Sequence, residues 1–135
     1  MAVRHVVSVV AAMVLAPVGL LLFDYGSGRY HRERLVHLDD SQSSTALLVM
    51  VGGIVLLALT AACTRISGLG PVVAGVVWGV LPFLWFFADV EGFFEFVQDL
   101  PTDHFWFASP TYLFPLAAAF LVGAGAGGRW ARRRA

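Results

Sequence analysis

"VVSVVAAMVLAPVGLLLF", Val6 to Phe23, decides the fold class. These eighteen residues contain no acid, no histidine and no Lys or Arg. A bilayer core of about 30 Å is crossed by about 20 apolar residues, each rising 1.5 Å along a helix. A short chain in water has no interior large enough to cover such a helix on every side, whereas lipid covers it directly. Arg4 ahead of the run imitates the start of a signal peptide, but "LLLFDYGSG" offers no small-x-small cleavage site, so the segment is read as a retained span.

Three more stretches have the same character: Thr45 to Cys63, Leu69 to Ala88 and Pro110 to Gly128. Composition agrees, because 59% of the 135 residues are hydrophobic and only 13% are charged, against about 25% charged in soluble domains. Residues 1–135 are therefore expected to form one polytopic membrane domain. The expected fold is an all-α integral membrane protein, a four-transmembrane-helix bundle. Lys and Asn are absent while Arg, Ala, Gly and Val abound, which fits a GC-rich bacterial genome.

Local chemistry marks the helix ends. Ser43 or Ser44 suits an N-cap of the second span, Pro71 falls in the first turn of the third, and Ser109-Pro110 reads as a cap followed by a proline that has no donor to lose. Pro17, Pro82 and Pro115 lie within spans, where each removes a backbone hydrogen bond and is expected to bend its helix. Lipid tails are as apolar as the side chains, so the helices must associate through close backbone approach. Gly75 and Gly79 in the third span and Gly123 and Gly127 in the fourth, extended by Ala119, supply small residues at four-residue spacing. Ala12/Ala16 and Ala58/Ala62 are weaker versions.

Charge sets the orientation. With four spans both termini share a side with the "TRISGLG" turn, and that side holds Arg4, Arg65, Arg129, Arg132, Arg133 and Arg134. The opposite side holds Arg29, Arg32 and Arg34 together with all nine acids. The positive-inside rule then predicts an inner (plasma) membrane protein with both termini cytoplasmic. The terminal cluster of Arg129, Trp130, Arg132, Arg133 and Arg134 is an anchor for an anionic leaflet. No folded basic domain accompanies it, so nucleic acid is not an expected partner.

Between the third and fourth spans lies "FFADVEGFFEFVQDLPTDHFWF", Phe86 to Phe107, with seven Phe, one Trp and five carboxylates. On a helical wheel Val90, Phe93, Phe94, Phe96, Val97 and Leu100 share one face, and Glu91, Glu95, Gln98 and Asp99 the other. Residues 89–100 are thus predicted to form an extracytoplasmic interfacial amphipathic helix, with rings in the lipid boundary and acids in water. Phe105, Trp106, Phe107 and Tyr112 continue the aromatic belt. The residues expected to meet a partner are Glu91, Glu95, Asp99, Phe93, Phe94 and Trp106.

Catalytic patterns are lacking. Cys63 is the only cysteine, which rules out an internal disulfide, a CxxC redox pair and a Cys-based zinc cage; it reads as a small apolar filler. The four predicted spans contain no carboxylate or histidine to relay protons, only polar groups such as Ser8, Thr45, Thr60 and the Trp78 indole. Outside them, His31, His37, His104 and Asp103 are weak candidates for a metal site, in loops without HExxH or comparable spacing. No cofactor is expected. Arg29, Arg32 and Arg34 with Glu33 can pair with the acidic second loop, although exposed pairs contribute only about 0–1 kcal/mol each. The function expected is that of a non-catalytic accessory or interaction subunit of a larger membrane complex, with the lipid bilayer and a membrane protein or further copies of itself as partners. The alternative is an oligomeric small transporter or channel component with a cation-attracting acidic vestibule.

Overall fold

A computed structural model describes residues 2–36, 43–99 and 110–134. Among them every regular element is helical and none is a strand. Helix α1 spans Ala2–His31 and closes with a widened turn, Arg32–Val36. Helix α2 spans Ser43–Ala62 and passes through the tight turn Cys63–Arg65 into α3, Leu69–Gly75. A second widened turn, Val76–Val80, joins α3 to α4, Leu81–Ala88. Helices α5, Val90–Gln98, and α6, Pro110–Arg134, complete the described chain.

Among the described residues three helical stretches are long and apolar enough to cross a membrane: Ala2–Arg34, Ser44–Arg65 and Leu69–Ala88, of 33, 22 and 20 residues. Tyr112–Gly128 within α6 is a shorter apolar stretch. The helix predicted over Val6 to Phe23 in fact runs eight residues further before its first widened turn. Pro17 and Pro115 do not interrupt their helices. Pro82 does perturb its own, because it has no N–H and its ring crowds the carbonyl of Trp78. The turn ahead of it widens, and the Leu81 N–H bonds five residues back to the Val76 carbonyl.

Small residues set the packing. Helix α1 lies mainly on α2 and then on α3, while α3 lies on α6; α2 and α6 meet only lightly. At the α1/α2 crossing a Cβ on Gly53 would lie 2.7 Å from the Gly19 carbonyl oxygen, and one on Gly26 would lie 2.8 Å from that of Ala46. Ala12, Ala16, Ala74 and Leu121 form the buried centre where α1, α3 and α6 converge. Gly75 and Gly79 are buried against α6, where a Cβ would meet Leu121 and Ala118 at 3.0 and 2.7 Å. The matching face of α6 is Ala118, Leu121 and Gly125, because Gly123 and Gly127 point into open space within the single chain. Spacing alone selects the wrong stripe there, since α6 contains four glycines between residues 123 and 128 and only packing picks among them.

Candidate functional site

The most chemically loaded place in the molecule is where α1 carries a carboxylate into the helix packing. Helix α1 continues past Phe23 through Asp24 to His31, although Gly26 and Gly28 are poor helix formers. Gly26 then allows this segment to lie directly on the backbone of α2. Asp24 is consequently only 6% exposed, and its Oδ2 has no hydrogen-bond partner among the described residues. The span boundary drawn at Phe23 therefore needs correction: an ionisable side chain does sit in the first apolar helix. Hydropathy could not find it, because a window ending one residue earlier scores as purely apolar.

Asp24 borders a cavity of about 610 Å³ between α1, α2 and α6. It exists because α2 and α6 touch only lightly, which leaves a gap across the face of α1. Its polar rim is Asp24, Ser27 and His31 of α1 with Tyr112 of α6. The remaining wall is apolar, with Leu57 and Ala58 of α2 facing Leu116 and Phe120 of α6. His31, a weak metal candidate on sequence grounds, stands at this rim. His37, His104 and Asp103 lie outside the described residues, among which no group of three or more His, Cys, Asp or Glu is arranged to hold a metal. Arg29 directs its Nε to Glu33 in the widened turn that closes α1, 2.6 Å away.

A second polar cluster ties the opposite end of α1 to the α2/α3 turn. The fully buried Ser8 hydroxyl donates to the Ser67 carbonyl at 2.8 Å and approaches that of Cys63 at 3.2 Å. The Ser67 hydroxyl accepts the Leu69 N–H at 3.2 Å and lies 2.7 Å from Nδ1 of His5. A Ser–His contact suggests nucleophilic chemistry, but Ser67 is buried and these contacts satisfy backbone groups at a helix start, which is a packing role. Sequence reading passed over this cluster; its signal was a hydroxyl, Ser8, within an otherwise apolar helix.

The acidic, aromatic segment has a distinct geometry. Helix α4 stops at Asp89, whose side chain accepts the Gly92 N–H at 3.0 Å and caps α5. Helix α5 then folds beside α4, so that Phe93 meets Trp85 and Phe86 edge to face at 5.6 and 5.5 Å, and reaches Phe114 of α6 at 6.1 Å. Phe93, expected on a docking face, is only 2% exposed and is used inside the fold. Glu91, Glu95, Asp99 and Phe94 are exposed, and Trp106 lies outside the described residues. Residues 129–134 continue α6, but the side chains of Arg129, Trp130, Arg132, Arg133 and Arg134 lie outside the described set. No protein-family model, curated protein or solved structure matches the chain.

Proposed function

We propose that this chain is a small, non-catalytic, multi-pass membrane protein that serves as an accessory or interaction subunit of a larger membrane complex. Helix α6 is the fourth span, both termini are cytoplasmic in a bacterial inner membrane, and α5 lies at the outer boundary with Glu91, Glu95 and Asp99 towards water. The observation that carries this reading is an apolar ridge on the outer face of α1 and α2. Val3, Val7, Val10, Val14, Val18 and Leu21 recur every three or four residues along α1, and Leu48, Val51, Val55 and Leu59 do so along α2, all exposed in the single chain. Short β-branched side chains give a stiff, even surface, suited to close contact with another helix as well as with lipid.

The test is mass spectrometry of what co-purifies with the tagged chain in mild detergent, with the particle mass measured on the same sample. A stoichiometric larger membrane protein is the expected result. A pure homo-oligomer would overturn it in favour of a second reading, a transporter or channel component assembled from several copies. That reading draws on Asp24, since buried carboxylates in apolar helices commonly serve ion and substrate paths.

A further inference from the structure

We propose that the cavity between α1, α2 and α6 binds a single-chain amphiphile with a protonated amine head and an apolar body, the ammonium lying at Asp24. Three observations converge. Asp24 is only 6% exposed, and one of its carboxylate oxygens has no donor among the described residues. A buried charge without a partner is costly enough that a partner of opposite charge or a strong donor is the natural complement. Asp24, Ser27, His31 and Tyr112 gather at one end of the cavity while the rest of the wall is aliphatic and aromatic, so the site has a polar pole and an apolar body.

Size selects among occupants. The volume of about 610 Å³ falls within the 300–1,000 Å³ of small-molecule pockets. A membrane-crossing partner helix about 10 Å wide and 30 Å long occupies about 2,400 Å³ and would lie across the open mouth, where Tyr112 and Leu116 are exposed, rather than within the cavity. Charge selects further. Among the described residues its lining includes an acid and no Arg, which suits a plain amine better than a zwitterionic phospholipid, whose phosphate would lie near the Asp24 carboxylate with no cation beside it. This inference does not rest on the accessory-subunit reading, because it concerns the isolated chain.

The experiment is equilibrium binding of radiolabelled dodecylamine to the purified chain in phosphatidylcholine nanodiscs, corrected for empty nanodiscs. Saturable binding is expected. Losing a charge-assisted contact should weaken it about tenfold or more in Asp24→Asn. Ala58→Trp, which fills the cavity and keeps the acid, should weaken it similarly, and Glu33→Gln should leave it unchanged. Dodecanol, which has the same tail and no charge, should compete at least about tenfold less well. Undiminished binding by folded Asp24→Asn would overturn the proposal, as would equal competition by dodecanol. So would displacement of the amine by phosphatidylethanolamine at the concentrations at which dodecylamine itself competes. Should Asp24→Asn fail to fold by circular dichroism, Ala58→Trp and the dodecanol competition decide the matter on their own.

Discussion

At Gly53 and Gly123 the same residue type does opposite things. A Cβ at Gly53 would strike the backbone of α1, including the Gly19 carbonyl oxygen and Phe23, whereas at Gly123 it would meet nothing within 4 Å. Overpacking of a rigid backbone contact costs about 1–3 kcal/mol. Gly53→Ala is therefore expected to lower the free energy of unfolding measured by denaturant titration in detergent by that amount, with a lower midpoint, and Gly123→Ala to leave both unchanged or raise them slightly. Equal midpoints for the two would mean that the α1/α2 crossing is looser than the geometry describes. Ser8 makes a related point: its hydroxyl is tolerable in an apolar helix because two carbonyls of the Cys63–Ser67 turn receive it.

At the scale of elements, α5 shows how a nine-residue helix, too short to persist alone, is held in place. Asp89 caps its start, and Phe93 sits among Trp85, Phe86, Phe94 and Phe114, mostly edge to face. Each such ring pair contributes about 0.5–1.5 kcal/mol beyond the area it buries. Phe93→Ala is expected to release α5, seen as faster hydrogen exchange at the amides of residues 90–98 with α1 and α2 still protected. Phe87→Ala, where the ring is 63% exposed, should not do so. If α5 kept its protection in Phe93→Ala, the cap and the remaining rings alone would hold it. The helix was legible from its alternating rings and acids, but the wheel could not tell which ring turns inward, because Phe93, Phe94 and Phe96 lie on one broad face and only the position of α4 and α6 chooses among them.

For the whole molecule, the question is which end of the bundle faces out. Six Arg on the side of the termini and nine acids confined to residues 24–103 are a property of the sequence, and they predict an inward position for Arg4 and an outward one for Glu95. In a Cys63→Ala background, Glu95→Cys should react with an impermeant maleimide on intact cells, and Arg4→Cys only after permeabilisation. The reverse pattern would invert the topology and move the Asp24 end of the cavity to the cytoplasmic side. At 1.5 Å per residue the 33-residue stretch Ala2–Arg34 is about 50 Å long, some 20 Å more than a bilayer core. With this stretch spanning the membrane as proposed, its Asp24 end lies towards one boundary, within reach of amphiphiles that keep their heads at the interface.

The sequence by itself determined the helical nature of its segments and that three of them are long and apolar enough to cross a membrane, because a long run without charge satisfies its backbone groups in an apolar medium by bonding within its own helix. It also determined the break at Asp89, since capping acts over a few residues, whereas of the three prolines within spans only Pro82 is preceded by a widened turn and Pro17 and Pro115 leave their helices uninterrupted. Only the tertiary structure decided which small residues touch, that Phe93 is internal, and that Asp24 belongs to a helix and borders a cavity. These depend on where one helix lies against another, and in a chain this rich in Gly, Ala and Phe many faces are nearly equivalent until the backbones meet.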